Sequence, residues 1–290
     1  MGKRENNRKT QINLFIIPTV IGAGLIINHL GNDYVENKKA KEMKNKYTLE
    51  NDSLDISLKN SQENEQGEKN INVSESIESE EIFEKIDFVS LKRDNADTVA
   101  WLSINGVIED YPIVQTNDNS YYVNHDFYGN NTKAGTIFED YRNASLESEF
   151  EDLSKLTLVY GHHMKNNTMF ANICNYKDDD YVEEHPYGLL YTPDGDIYKI
   201  EFFAGINLSG NESSFLDIEN YNQIEFNEYI NTIKENSSFD NDLNIEYEDK
   251  LIALVTCSYE KENNRYILYG KLSDEYIKQE EQEYTKVLKK

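Results

Sequence analysis

The sequence predicts a mainly β protein, a single closed β-barrel with helical insertions, over residues 81–290. Three observations predict it. The region holds about seven or eight short apolar or alternating runs, each bounded by Gly, Asn, Asp or Pro, as strands are. Only two stretches in it carry helical spacing. Thr192-Pro193-Asp194-Gly195 is a turn with a mechanism, because Pro presets φ at its second position and Gly tolerates the closing geometry. Many short strands with few helices fit a closed barrel.

Ahead of that region the chain divides in three. Residues 1–11 carry Lys3, Arg4, Arg8 and Lys9 and read as a basic cytoplasmic tail. Residues 12–30, INLFIIPTVIGAGLIINHL, hold no Asp, Glu, Lys or Arg over about the 20 residues a membrane-spanning helix needs. A cleaved signal peptide, an uncleaved anchor and a buried soluble helix compete for this run. Apolar residues continue past Gly22-Ala23-Gly24, the nearest small-residue site, which favours the anchor. Positive charge before the span then places Met1 in the cytoplasm. The expectation is a single-pass protein of the cell membrane with its catalytic domain outside. Residues 31–80 are polar and acidic, and NSQENEQGEKNINVSESIESEE cannot bury enough apolar surface to offset its ordering entropy. They read as a stalk or linker, with room for some helix in Asn32–Lys46.

Within the folded region, IFEKIDFVSLKRDN (82–95) places Ile82, Phe83, Ile86 and Val89 at helical spacing, with Phe88 beside them, and predicts an amphipathic helix. The strand runs are VAWLSING (99–106), YPIVQT (111–116), GTIFED (135–140), LTLVYG (156–161), LIALVTC (251–257) and RYILYGKL (265–272). Two more flank the turn in GLLYTPDGDIYKIEFFAGI (188–206), where it should join antiparallel strands. A second helix is expected in EFNEYINTIKENSSF (225–239), with Phe226, Tyr229, Ile230 and Ile233 on one side. The net charge of -25 argues against nucleic acid as a partner, since phosphates would be repelled.

The chain has two cysteines and five histidines. A disulfide is one reading of Cys174 and Cys257, but their contexts differ. Cys174, in MFANICNYKDDD, suits a small side chain packed on the core. Cys257 ends an apolar run and is followed by polar SYEKENN, the position of a residue at the mouth of a loop-lined cleft. His29, His125 and His185 lie in the apolar run and in polar loops. His162 and His163 follow LTLVYG, a run that ends in Gly and then His, just as LIALVT ends in Cys. Arg265 opens the next run after a short polar interval. Two strand ends in one sheet can lie side by side, bringing thiol, imidazole and guanidinium to one cleft. Such a trio suits acyl transfer: a thiolate nucleophile, an imidazole that protonates the leaving amine, and a cation for the oxyanion. No cofactor is expected, and isolated cysteines beside a His-His dipeptide lack zinc-ligand spacing.

These residues resemble the class B sortases, cysteine transpeptidases of Gram-positive surfaces. The likeness rests on the Val255-Thr256-Cys257 ending with Arg265 downstream, and on Tyr160-Gly161-His162 upstream. It extends through DFVSLKRDNADTVAWLSING, YPIVQTNDNSYYVNHDF, AGTIFEDYRN, VYGHHMKNNTMF and HPYGLLYTPDG, in class B order, and covers about Ile82 to Leu272. Ala253 stands where the family signature has its first Thr, and His163 where the family usually has Asn. The resemblance implies an eight-stranded barrel with an N-terminal helical extension and a helix inserted beside the groove. It implies Cys257 as nucleophile, His162 as general acid/base and Arg265 as oxyanion or substrate-orienting residue. Asn119 and Val123 match groove positions, and Thr256 and Ser258 flank the nucleophile. The implied partners are surface proteins bearing a C-terminal sorting signal, cleaved after Thr, and a peptidoglycan precursor amine as acceptor. Both NPQTN-like and (S/P)PxTG-like signals remain open, as does pilus assembly. The rival readings are a hydrolytic cysteine peptidase with the same trio, an L,D-transpeptidase, whose compact Ser-His-Gly-Cys arrangement is absent, and a non-catalytic wall-binding domain. With ordinary values of about 8.5 for a thiol and about 6.5 for an imidazole, the reactive thiolate–imidazolium pair would be a minor form at neutral pH.

Overall fold

Runs such as LIALVT are apolar throughout because their strands are covered on both faces, and this shapes the whole molecule. The computed structural model describes residues 38–49, 85–209, 217–239, 241–258 and 264–273, with the backbone alone at Glu109, Ser209, Cys257, Ser258 and Asn264. Residues 38–47 form helix α1. It leads into β1 (Thr48–Leu49), which pairs antiparallel with β2 (Lys85–Ile86). After α2 (Phe88–Asp94) come β3 (Thr98–Ile104), β4 (Ile108–Val114), β5 (Phe138–Glu139) and β6 (Leu156–Tyr160). Then follow α3 (Asp179–Glu184), β7 (Tyr187–Tyr191), β8 (Ile197–Ser209), α4 (Gln223–Glu235), β9 (Lys250–Ser258) and β10 (Asn264–Ser273).

Eight of these strands close a barrel in the order β10-β8-β7-β3-β4-β5-β6-β9, the mainly β architecture expected. The β4–β5 and β6–β9 contacts are parallel and the other neighbours antiparallel. On β9, Ile252 and Leu254 pack inside the barrel with Leu102, Val159, Ile200 and Leu268. Leu251, Ala253 and Val255 point to the other face and lie under α4, against Phe226, Tyr229, Ile230 and Ile233. The four α4 residues form the stripe the sequence predicts, and burying each contributes roughly 1.5–3 kcal/mol. The helix starts at Gln223 because Asn222 caps it. Its side chain accepts from the Ile224 and Glu225 amides, while the Glu225 carboxylate accepts from the Asn222 amide. Ala253 is fully buried in the cluster beneath this helix, an apolar site that suits its methyl group. The Thr192–Gly195 turn joins β7 to β8 antiparallel, as expected. Gly195, at φ +89, donates to Thr192 O at 3.1 Å, and Thr192 donates to Asp196 O at 3.0 Å.

The first expected helix is shorter than its apolar spacing suggested. Lys85 and Ile86 are extended in β2, and the helix begins at Phe88, where the Asp87 carboxylate accepts from Ser90 N at 3.0 Å. Leu91 is its buried residue, and Val89 is 81% exposed. Residues 38–49, within the expected linker, pack on the barrel. Tyr47 is fully buried edge-on to Trp101 and Phe127, and its hydroxyl donates to Asp94 at 2.8 Å. Lys46 pairs with the same carboxylate at 2.7 Å.

The expectation of a single-pass membrane protein is corrected. Among the described residues no helix is long and apolar enough to cross a membrane. The longest of them, α4, has 13 residues against the ~20 a span requires. The 12–30 run behind that expectation lies outside the described residues.

Candidate active site

The β9–β10 hairpin sets two of the expected residues opposite each other. Cys257 is the cross-strand partner of Arg265, one step before Ser258 meets Asn264. On the other side of β9, β6 runs parallel, pairing Tyr160 with Val255, and the Gly161 amide extends that ladder to Val255 O at 3.1 Å. The chain leaving β6 therefore delivers His162 beside the residues that precede Cys257.

Backbone contacts hold His162 there. The Phe170 amide donates to His162 O at 2.9 Å, and His163 bridges Met169, so the 161–170 loop closes on itself. Met169 sits in the left-handed region at φ +57 although buried, a conformation that persists only where the surroundings enforce it. Gly161 makes the closure possible, since a Cβ there would come within 2.6 Å of the Phe170 ring. Gly161→Ala should cost about 1–3 kcal/mol of stability and lower turnover at least tenfold by displacing His162. Thermal melts and steady-state kinetics check this, and wild-type values in both would rule out the tight contact.

These elements border one cleft of about 360 Å³. Asn119, Val123, His162, Thr256 and Arg265 line it, five of the residues singled out in the sequence. Cys257 and Ser258 occupy the strand end at its edge, next to Thr256. His162 Nε2 donates to the Val123 carbonyl at 2.7 Å. Val123 is presented by a 3-10 turn, Tyr121–Val123. Asn119 is fixed by accepting from the Tyr141 amide at 3.0 Å. Thr256 is 2% exposed, and its hydroxyl makes no hydrogen bond among the described residues. His163, the alternative imidazole, instead lies 3.4 Å from the thiol of Cys174 through Nδ1.

Phe138, Tyr160, Gly161 and Val255 also line the cleft, without having been marked as site residues in the sequence. The Phe138 and Tyr160 rings pack at 5.3 Å to form one wall. The Tyr160 hydroxyl donates to Asp140 Oδ2 at 3.0 Å, and burial with that carboxylate nearby holds the phenol well above its ordinary pKa. Burial pushes the Asp140 carboxyl upward too, but hydrogen bonds from Arg142 and Tyr160 outweigh it and keep the group below the usual carboxylate value. A larger cavity of about 800 Å³ lies between α1 and the β3–β7 face and contains none of the Cys–His–Arg set. Chemistry, not volume, marks the site.

No family model matches the chain. Individual relatives do. Sortase B of Listeria monocytogenes is 35% identical over 184 residues, 63% of this chain and 72% of that protein. The structure of the Staphylococcus aureus sortase B-substrate complex aligns with a TM-score of 0.59 at 26% identity, covering 65% of this chain and 85% of that one. A sortase B complexed with triglycine aligns equally well, with a TM-score of 0.59 at 26% identity over 65% of this chain and 86% of the other.

Proposed function

Because the chain belongs to the sortase B family, we propose that its cysteine transpeptidase chemistry runs through Cys257, His162 and Arg265. One observation carries this reading: Cys257 and Arg265 are cross-strand partners on the strand whose other edge hydrogen-bonds Gly161, next to His162. The Cys257 thiolate attacks the threonine carbonyl of a C-terminal sorting signal and forms a C–S bond. Arg265 donates to the oxyanion of the tetrahedral intermediate. The C–N bond then breaks, His162 gives its proton to the departing amine, and a thioester remains on Cys257. An incoming amine loses a proton to His162 and attacks the thioester, and the C–S bond breaks to expel the Cys257 thiolate as the new amide forms.

The hydrogen bond to Val123 selects the working nitrogen of His162. A carbonyl oxygen only accepts, so Nε2 keeps its proton in both ring states, and Nδ1 is left to take up and release the mobile one. Removing the imidazole, as in His162→Ala, should cost about 10²–10⁴-fold in kcat. The wild-type rate should follow a bell-shaped pH profile, because thiolate and imidazolium must coexist. A flat profile between about pH 6 and 9, with chemistry limiting, would overturn the paired-titration mechanism.

The family, and the place of Asn119 and Val123 along the cleft, support a sorting-signal peptide as the substrate class. The S. aureus relative is seen with a substrate and a sortase B with triglycine, which supports a signal-bearing protein as donor and a cell-wall precursor amine as acceptor. The test is cleavage of a peptide library spanning NPQTN-like and (S/P)PxTG-like signals, with and without triglycine or a diaminopimelate peptide. Added amine should shift the product from free acid to ligated peptide. Acid alone at every amine concentration would make the protein a hydrolytic peptidase.

A further inference from the structure

The Arg265 side chain borders the cleft with no hydrogen bond or ion pair among the described residues, although a buried carboxylate stands just behind the cleft wall. Asp140 follows β5, its side chain is wholly buried, and Tyr160 separates it from the cleft. Each of the two carboxylate oxygens accepts two hydrogen bonds. Oδ1 accepts from the Arg142 amide at 2.9 Å and from Arg142 Nε at 2.9 Å. Oδ2 accepts from Arg142 Nη2 at 2.7 Å and from the Tyr160 hydroxyl at 3.0 Å. The backbone is fixed as well, with Asp140 N donating to Leu158 O at 2.9 Å and Gln115 Nε2 donating to Asp140 O at 3.0 Å. A guanidinium forked onto both oxygens neutralises a carboxylate at defined geometry. The positive charge of Arg265 acts on the Tyr160 hydroxyl, the same group that bonds Asp140.

We propose that Arg142 and Asp140 form a charge lock behind Tyr160, which keeps the Arg265 guanidinium available to the substrate. Both are positioning residues, acting through Tyr160 and Arg265. Remove the Arg142 charge, and Asp140 becomes a buried anion with no counter-charge, a destabilised state that either protonation or the approach of another cation relieves. Among the described residues, the arginine that lines the cleft together with Tyr160 is Arg265. Drawn toward Asp140, it leaves the position where the oxyanion forms. The lock costs nothing in the cleft itself, because Arg142 approaches from outside and stays 53% exposed.

This inference rests on the reading of Arg265 as the oxyanion partner, and the experiment separates the two. Full-length wild type, R142Q, R142K, D140N/R142Q and R265A are assayed for cleavage and triglycine ligation of an NPQTN-like peptide, with thermal melts on each. Neutralisation of charge predicts that R142Q loses at least tenfold in kcat/KM, that R142K, which keeps the charge but not the bidentate fork, retains several-fold more activity than R142Q, and that D140N/R142Q recovers most of the loss. A folded R142Q with wild-type kcat/KM, or a double variant no better than R142Q, overturns the charge lock. If R142Q does not fold, R142K decides: a large loss there assigns the role to guanidinium geometry and also overturns it. Full activity in R265A refutes the reading of Arg265 instead.

Discussion

Cys257→Ala should abolish peptide cleavage, with an expected fall in kcat on the order of 10⁴–10⁶-fold, as when the nucleophile of other acyl-transfer enzymes is deleted. The fall is this large because the cleft offers no replacement. Cys174 is the other cysteine of the chain, and it sits on a 3-10 helix, Ala171–Lys177, beside His163 rather than in the cleft lining. Peptide binding should survive, since Asn119, Val123, Thr256 and Arg265 stay in place. The two effects are read separately. Wild-type enzyme and Cys174→Ala, mixed with peptide and quenched in acid, should each show one acyl adduct by mass spectrometry. Cys257→Ala should show none while binding the peptide within about threefold of wild-type affinity, the split expected when only a transition-state interaction is lost. A Cys257→Ala protein retaining a tenth of wild-type turnover would end the nucleophile assignment.

What the sequence revealed of this site, and what it withheld, follows from how far apart the contributing residues lie. The β9 run and the Tyr160-Gly161-His162 ending are local signals, so the proposed nucleophile and acid/base positions could be marked from them. The α4 stripe was equally plain, because Phe226, Tyr229, Ile230 and Ile233 repeat at helical spacing and all face the same cluster. The start of α2 misled for the converse reason. Ile86 and Val89 share helical spacing, yet Ile86 belongs to β2, paired with Thr48 from a distant segment, while Ile82 and Phe83 lie outside the described residues. Such a pairing leaves no local period to detect. Tyr47 shows the same blindness. Its neighbours are polar, so the segment reads as solvated, and only the fold discloses that its ring fills a site against Trp101 and Phe127. Phe138 and Tyr160 were read as strand residues for that reason too: the wall they build exists only once β5 lies beside β6.

The same β5–β6 pairing buries an acid that should govern stability. Glu139 is the cross-strand partner of Val159 and is fully buried. One of its oxygens accepts from the Leu146 amide at 3.1 Å, and the other has no hydrogen-bond partner among the described residues. Burial, aided by the neighbouring Asp140 charge and opposed by the Leu146 hydrogen bond, pushes its pKa up to about 8 from an ordinary 4.5. The sign of the effect follows. Below about pH 4.5 the carboxyl is protonated in folded and unfolded chains alike, and stability is undiminished. Between there and about pH 8 the folded chain keeps a proton the unfolded chain releases, so stability falls as pH rises, by about 1.4 kcal/mol per pH unit at the steepest. Above about pH 8 both forms are ionised and the loss is complete. Glu139→Gln cannot titrate, and its carbonyl oxygen can still accept from Leu146. In urea denaturation, the advantage of Glu139→Gln over wild type should widen by on the order of 2–4 kcal/mol between pH 5 and pH 9. Parallel stability curves for the two proteins would refute the buried-acid account. The variant also isolates the chemistry of the cleft. β5 braces β6, which delivers Tyr160 and His162, so any alkaline loss of wild-type activity combines titration of the catalytic pair with weakening of this strand pair. Whatever alkaline limb survives in Glu139→Gln belongs to the catalytic groups alone.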